Sequence, residues 1–312
     1  MTKKLTLTAA EKPIDPEPGI YPGVPWEEYA SWDCFSKSMT SSALKSGAHL
    51  DHYIHAPRKS RAMSFGSLVD CLVLEPELYE SQYIIQPATY TTEKTSGRGA
   101  NKVTESIEKP WNLNSTVCKQ IAAGIAATGK QIVSEGDLER ATSIRAAILN
   151  NKFAAKAING SEKQVSFVWV DEKTGVKCKG RADMISGSYI DDLKTAQDAS
   201  PDEFSRAIGK FNYHVQAAAY TDACRTITGE SMTFRFLVAE TGGGTEEPLV
   251  ALYELDSVSV TAGLLKFRRA LANVSRWRDE GVRGYSPWWE PIEAPRWMVD
   301  REINMSDEEV TL

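Results

Sequence analysis

Long apolar runs are absent. No stretch of the 312-residue chain approaches the ~18 consecutive apolar residues of a membrane span. Met1 to Lys12 carries lysines but no apolar core long enough for a secretory leader. A cytoplasmic protein without membrane contact is the expectation. Cysteine is sparse and scattered: the five, at positions 34, 71, 118, 178 and 224, form no C-x-x-C pair and no dense Cys/His cluster. That points away from a zinc site and from a disulfide framework, and leaves small buried thiols. Only four histidines occur. Three of them, His49, His52 and His55, share one helical face, where packing or titration without metal outweighs a metal site. An excess of positive charge is also missing. The net charge of −6 is not that of a protein held to nucleic acid by bulk charge, although local basic strips remain open to it. Gly242-Gly243-Gly244 is followed by no Gly-Lys-Ser/Thr, so it is not a phosphate loop. There are no internal repeats.

What is present is an ordinary globular composition, 42% hydrophobic and 25% charged. Residues 1–20, with Pro13, Pro16, Pro18 and Gly19, read as an irregular arm. Tyr21, Trp26, Tyr29 and Trp32 follow among turn signals and read as exposed. Ser38 or Thr40 is placed to cap a helix. A second short helix ends near Pro57. Met63 to Glu75 carries Phe65, Leu68, Val69, Leu72 and Val73 at the 3.6-residue period, with Pro76 beyond it. Asp70 lies inside this apolar run, where a carboxylate is costly unless paired or bound to a cation.

Tyr83 to Pro87 reads as a short strand. Residues 87–113 have little periodicity and read as a mobile loop. Lys94, Arg98 and Lys102 sit there, as phosphate contacts or simply as solvated charges. Helical patterns follow at 114–128, 137–150 and 151–158. The period then changes to two. Gln164–Val170, Val176–Arg181 and Tyr189–Thr195 read as an antiparallel meander turned at Asp171–Gly175 and Ser186–Ser188. Ser200-Pro201-Asp202-Glu203 reads as a capping box with proline at the first helical position. The helix or helix pair it opens ends at Gly229. Two strands, Met232–Glu240 and Leu249–Leu255, precede a last basic helix opened by Ser257 or Ser259. Tyr285–Trp297, with three tryptophans among prolines, reads as an irregular strap against the body or a neighbouring subunit.

The chemistry concentrates between Glu162 and Tyr220. Residues two apart on a strand point the same way, so Asp192 and Lys194 face one side with Leu193 opposite. The short 186–188 turn can bring Asp183 beside Asp192. Two carboxylates that close repel unless a cation lies between them. A hard divalent ion, Mg²⁺ or Mn²⁺, suits Asp183, Asp192 and the carbonyl of Leu193. Lys194 is then placed to orient the attacking water and offset phosphate charge, which makes the reaction phosphodiester hydrolysis. Glu162 is a candidate further carboxylate, and Asp70 is placed to approach from its helix. Gln216 and Tyr220, one helical turn apart, share a face that either supports the catalytic strand or touches a DNA backbone. Tyr213 and His214 are further candidates. Singly, each of these residues reads as ordinary packing or a surface ion pair; the joint pattern is the signal.

Gly180-Arg181-Ala182-Asp183, Asp192-Leu193-Lys194-Thr195 and Gln216-x-x-x-Tyr220 together resemble the PD-(D/E)xK nuclease superfamily, in its RecB-like branch. Ser64-Phe65-Gly66-Ser67-Leu68-Val69-Asp70, Leu74-Glu75-Pro76 and Tyr213-His214-Val215-Gln216 resemble more narrowly the RecE-like exonucleases, over about residues 35–255. The resemblance implies an α/β (α+β) fold with a mixed central sheet flanked by helices. It implies one domain over 21–282, helical at 36–158 and catalytic at 160–280, before a strap at 283–312. It further implies Mg²⁺-dependent, ATP-independent 5′→3′ digestion of linear duplex DNA in a bacterial cytoplasm. The 3′ single strands so produced would pass to a RecT-type annealing protein. A toroidal tetramer is implied too, with basic residues lining its channel. Arg181, Lys94, Arg98, Lys102, Tyr213, His214 and Tyr220 are the DNA-contact candidates. The family commonly has His where this chain has Asp70, which puts metal preference and pH dependence in question. Two alternatives stand beside this reading. One is a RecB-like nuclease of a CRISPR or repair complex, disfavoured because no cysteine follows Cys224. The other is a non-catalytic DNA-binding module, disfavoured by the intact Asp183, Asp192 and Lys194.

Overall fold

The structure is a computed structural model. It describes residues 5–56, 61–96, 102–242, 245, 247–281, 284–285 and 288–309, the side chains of 61, 62, 302 and 304–309 apart. In chain order the elements begin with β1 (Gly19–Tyr21), α1 (Trp26–Ser31), β2 (Phe35–Ser36), α2 (Thr40–Ala43), α3 (Gly47–His55), α4 (Arg61–Leu74), α5 (Tyr79–Gln82) and β3 (Tyr83–Ile85). They continue through β4 (Thr89–Ser96), β5 (Val103–Pro110), α6 (Thr116–Ala127), β6 (Gln131–Val133), α7 (Glu135–Asn150) and α8 (Lys152–Asn159). The second half holds β7 (Glu162–Val170), β8 (Lys177–Ser186), β9 (Tyr189–Ala196), α9 (Pro201–Phe211), α10 (Tyr213–Thr228), β10 (Thr233–Glu240), β11 (Val250–Glu254), α11 (Ser257–Glu280) and α12 (Arg296–Glu309).

The central sheet runs β1-β7-β8-β9-β10-β11, with β2 added beside β8. The β7-β8-β9 meander is antiparallel, whereas β10 joins β9 in parallel after the α9–α10 crossover. Helices cover both faces, so this is the mixed, helix-flanked sheet that the sequence motifs imply. Residues 165–169 of β7 are all buried. That is why their apolar run is almost continuous rather than alternating. One face packs Phe167, Ile190, Phe234 and Phe236 against Val215, Ala217 and Ala219 of α10 and Phe267 and Leu271 of α11. The other packs Met184, Leu193 and Leu237 against Leu68 and Val69 of α4 and Ile144 and Ile148 of α7. The alanines of α10 let it lie close to the sheet. At Gly263 of α11 a Cβ would stand 2.1 Å from the His214 carbonyl oxygen, so only glycine permits that helix contact.

Several local expectations change. Residues 89–96 and 103–110 form an antiparallel hairpin rather than a loop, with Lys94 opposite Glu105. Its strands are Thr-rich and charged, with more Glu than Lys, and largely exposed, so no apolar alternation marks them. Lys102 precedes β5, and Arg98 lies outside the described residues. The N-terminal arm is anchored: Leu5 and Leu7 are buried, and β1 pairs with β7. Tyr29 and Trp32 are buried in a small cluster with Cys34 and Val168, not exposed. Ser200 makes no side-chain cap, although Pro201 does open α9. Glu203 instead pairs with Arg206. Neither Ser38 nor Thr40 caps a helix; Lys37–Met39 forms a short 3-10 turn. Asn212, in the left-handed region at φ 57°, divides α9 from α10. Asp256, rather than a serine, caps α11. The strap ends in α12, and Trp288, Trp289 and Trp297 are exposed.

Candidate active site

The β8–β9 ladder pairs Ser186 with Tyr189, Ile185 with Ile190 and Met184 with Asp191. One step further, Asp183 and Asp192 would face each other. There the side chain of Asp183 takes over: its Oδ2 accepts a hydrogen bond from the Leu193 backbone N–H at 2.8 Å. The two carboxylates are thereby placed side by side. Asp192 is almost wholly buried, at 1% exposure. Its Oδ1 accepts from Gln216 Nε2 at 2.6 Å. Its Oδ2 lies against the Lys194 ammonium but has no hydrogen-bond partner of good geometry. Lys194 Nζ is also 3.5 Å from the Leu193 carbonyl oxygen, the backbone group proposed as a ligand.

Asp70 arrives from α4. That helix reaches β9 closely at Gly66, where a Cβ would meet Thr195 Oγ1 at 3.4 Å, and Leu68 and Val69 anchor it against Leu193. Burial pushes the Asp70 carboxyl up to about 7; the Lys194 charge opposes this and the Asp192 charge adds to it. Burial also raises Asp183 well above the ordinary carboxylate range, followed by repulsion from Asp192, with Lys194 and the Leu193 N–H pulling the other way and Asp70 adding to the rise. Burial opposes the charged form of Lys194, yet Asp192 and then Asp183 hold its pKa above the usual lysine value. Asp70, Asp183, Asp192 and Lys194 thus form one electrostatic unit.

Among the described residues no three His, Cys, Asp or Glu side chains are gathered into a ready-made metal cluster. Here Lys194 supplies the counter-charge at Asp192. The donor set nevertheless suits a hard cation. It consists of carboxylate and carbonyl oxygens only, two of the carboxyls are protonation-prone through burial, and the buried Asp192 Oδ2 has only the Lys194 ammonium against it. Mg²⁺ or Mn²⁺ fits. The histidines do not make a second site: His49 Nδ1 pairs with Ser46 Oγ at 2.7 Å, and His55 Nδ1 with the Asp51 carbonyl at 2.8 Å.

Other candidates fall elsewhere. Glu162 is exposed, opposite Ile185 at the start of β7, two positions along β8 from Asp183. Tyr220 is buried against Phe167, and its hydroxyl accepts from the Arg181 N–H at 3.4 Å. It is buried and buttresses β7 and β8 from below, rather than lying on the surface as a DNA-contact residue would. Gly180 makes room for it: a Cβ there would stand 2.3 Å from a Phe167 ring carbon and 2.9 Å from Tyr220. The Arg181 guanidinium ties Gln164 Oε1 (2.9 Å) to the Val24 carbonyl (2.7 Å), so it joins the arm to the sheet. His214 Nδ1 is 3.3 Å from the Ile208 carbonyl. Tyr213, in contrast, lies at the site, its ring centroid 5.1 Å from Lys194 Nζ. The residue missed from sequence is Lys37. Its Nζ is 3.5 Å from Gln216 Oε1 and 5.4 Å from the centre of the Tyr213 ring. No spacing connects it to residues some 180 positions away. Its only local sign is the Ser36-Lys37-Ser38 turn.

A family model described as a PDDEXK-like domain of unknown function (DUF3799) matches residues 34–283. Among solved structures, a candidate exonuclease from Eubacterium rectale superposes with a TM-score of 0.56. It is 17% identical, over 89% of this chain and 97% of its own. SSO0001, at 15% identity over 50% of this chain and 65% of its own, has a TM-score of only 0.24 and carries no argument. No curated protein matches the chain.

Proposed function

The chain belongs to the PDDEXK-like DUF3799 family, and on that premise we propose that it is a Mg²⁺-dependent, ATP-independent exodeoxyribonuclease acting on linear duplex DNA. The observation that carries this is the carboxylate pair formed by half-buried Asp183 and buried Asp192, with Lys194 against Asp192 and Asp70 beside them. Asp70, Asp183, Asp192 and the Leu193 carbonyl would hold the metal. When bound, Mg²⁺ lowers the pKa of water and stabilises the attacking and leaving oxygens of the phosphodiester. Gln216 fixes the rotamer of Asp192. Lys194 holds positive charge beside the reacting phosphate and orients the attacking water. The sheet and α10 keep these groups away from bulk solvent, where their fields would be weak.

A 5′→3′ polarity, 3′ single-stranded products, a RecT-type annealing partner and a toroidal oligomer in a bacterial cytoplasm are part of the same proposal. Their support is the RecE-like sequence motifs at 64–76 and 213–216. The test compares end-labelled linear duplex with closed circular duplex, in Mg²⁺, with and without ATP. Digestion of the linear form alone, equally without ATP, supports the exonuclease. Cutting of closed circles would contradict it.

A further inference from the structure

Two buried or partly buried lysines outside the D-x-K motif behave differently. Lys179 is 4% exposed, and its Nζ donates to the carbonyls of Tyr29, Ala30 and Trp32 at 2.9, 3.3 and 2.8 Å. Its three donors are saturated, which makes it a structural tie between β8 and α1. Lys37 is not satisfied in this way. Its Nζ has two long contacts, 3.3 Å to the Phe211 carbonyl and 3.5 Å to Gln216 Oε1. Among the described residues it forms no ion pair.

Its position is fixed by the sheet. β2 pairs in parallel with β8, Ser36 opposite Lys179, and the chain turns at Lys37 toward the start of α10. Lys37 and Lys194 share the Tyr213 ring, at 5.4 and 5.1 Å from its centre. Burial and then the charge of Lys194 bring the Lys37 pKa down to about 8, partly offset by Asp192. Two ammonium groups thus converge on one aromatic floor, while the one carboxylate near both is already engaged by Lys194 and Gln216. That arrangement gains from a further anion with several acceptor oxygens.

We propose that Lys37 is a second substrate-binding cation of this site, contacting a phosphate oxygen of the DNA strand alongside the phosphate served by Lys194. The inference rests on the nuclease reading and adds a specific ligand contact to it. A merely structural Lys37 would do no more than fix the Gln216 amide.

The test measures duplex affinity of the full-length protein by fluorescence anisotropy, with Ca²⁺ replacing Mg²⁺ to slow cleavage, over a range of salt. Wild type, Lys37→Met and Lys37→Arg are compared. One lost phosphate contact should flatten the slope of log affinity against log salt by about 0.9. Lys37→Met should show that loss with roughly tenfold weaker binding, and Lys37→Arg should restore both. Duplexes carrying a single neutral methylphosphonate, moved linkage by linkage from the 5′ end, locate the contact. At one linkage wild type should weaken and Lys37→Met should not. If a 5′-terminal phosphate rather than an internal linkage is the ligand, removing that phosphate should have the same selective effect. An unchanged salt slope in Lys37→Met, while wild type still cuts linear DNA, would overturn the Lys37 contact and leave the nuclease reading standing. A wild type that neither binds nor cuts DNA would overturn both.

Discussion

Gln216 Nε2 donates to Asp192 Oδ1 at 2.6 Å, from the second turn of α10 to the centre of β9. This bond fixes which oxygen of Asp192 is left to face Lys194. It also fixes the Gln216 amide, whose Oε1 turns toward Lys37. A helix that reads as ordinary packing therefore sets the geometry of a buried carboxylate. Gln216→Leu should remove the bond and leave Asp192 free to rotate. We predict a fall in the rate of DNA cleavage of roughly tenfold to a hundredfold, with affinity for duplex nearly unchanged. An unaltered rate would show that Asp192 is held by Lys194 alone.

The raised pKa values of Asp70 and Asp183 have a definite sign. A carboxyl that titrates near 7 in the fold but near 3.8 when unfolded binds its proton more tightly in the fold. The contribution of Asp70 to the stability of the metal-free protein is then fully present below the unfolded value, is lost as pH rises from about 4 to about 7, and is flat above that; Asp183 acts in the same direction. Divalent cations need the deprotonated carboxylates, so Mg²⁺ or Mn²⁺ should raise the melting temperature by several degrees at pH 8 and by little at pH 5. Thermal melts at the two pH values, with EDTA or with metal, measure this. Equal stabilisation at both would mean that the ion binds elsewhere.

Gly180 and Tyr220 form a packing pair beneath β7 and β8. Gly180→Ala forces a methyl group to within 2.3 Å of the Phe167 ring, and overpacking of this kind costs about 1–3 kcal/mol. Tyr220→Phe removes only the hydroxyl that accepts the Arg181 N–H, a loss of about 0.5–1.5 kcal/mol. Urea denaturation should rank Gly180→Ala below Tyr220→Phe, and neither change should alter the salt dependence of DNA binding. A flattened salt slope in Tyr220→Phe would return that residue to the DNA surface.

At Asp70 the resemblance to RecE-like exonucleases leads one to expect His, and this chain has Asp. Asp70→Ala should abolish Mg²⁺-supported cleavage. Asp70→His should retain cleavage and shift its preference from Mg²⁺ toward Mn²⁺, because imidazole is a softer ligand than carboxylate. Cleavage rates in a metal series measure the shift. Full Mg²⁺ activity in Asp70→Ala would remove this residue from the ligand set.

What could be read in advance follows from the range over which each signal acts. The β7–β9 meander was legible because short runs of β-branched and aromatic residues and the Gly-containing turns between them lie within 35 residues, although β7 itself is buried on both faces and does not alternate. Asp183, Asp192, Lys194 and Gln216 came with it. Asp70 was legible as an acid within an apolar helix, and its arrival at β9 depends on Gly66 and Leu68 packing that local pattern does not specify. Lys37 carries no such mark, because its role exists only through the parallel β2–β8 pairing. Tyr29 and Trp32 read as exposed because their burial depends on Val168 of β7, some 135 residues away, and on turn-rich local sequence that shows no period. The β4–β5 hairpin was read as a loop because polar, Thr-rich and charged strands off the main sheet have no buried face to impose alternation. Glu162 is an exposed strand residue opposite Ile185, two positions along β8 from Asp183, and its strand alone does not mark it as a ligand.

The central claim is that Asp183, Asp192 and Lys194 form a metal-dependent phosphodiesterase centre. The most direct measurement is cleavage of end-labelled linear duplex by wild type and by Lys194→Ala, titrated with Mg²⁺ and quenched with EDTA, after circular dichroism has shown both proteins folded. We predict cleavage by wild type that requires the metal, and a rate at least about a hundredfold lower for Lys194→Ala. No cleavage by wild type with any divalent ion, or equal cleavage by Lys194→Ala, would contradict it.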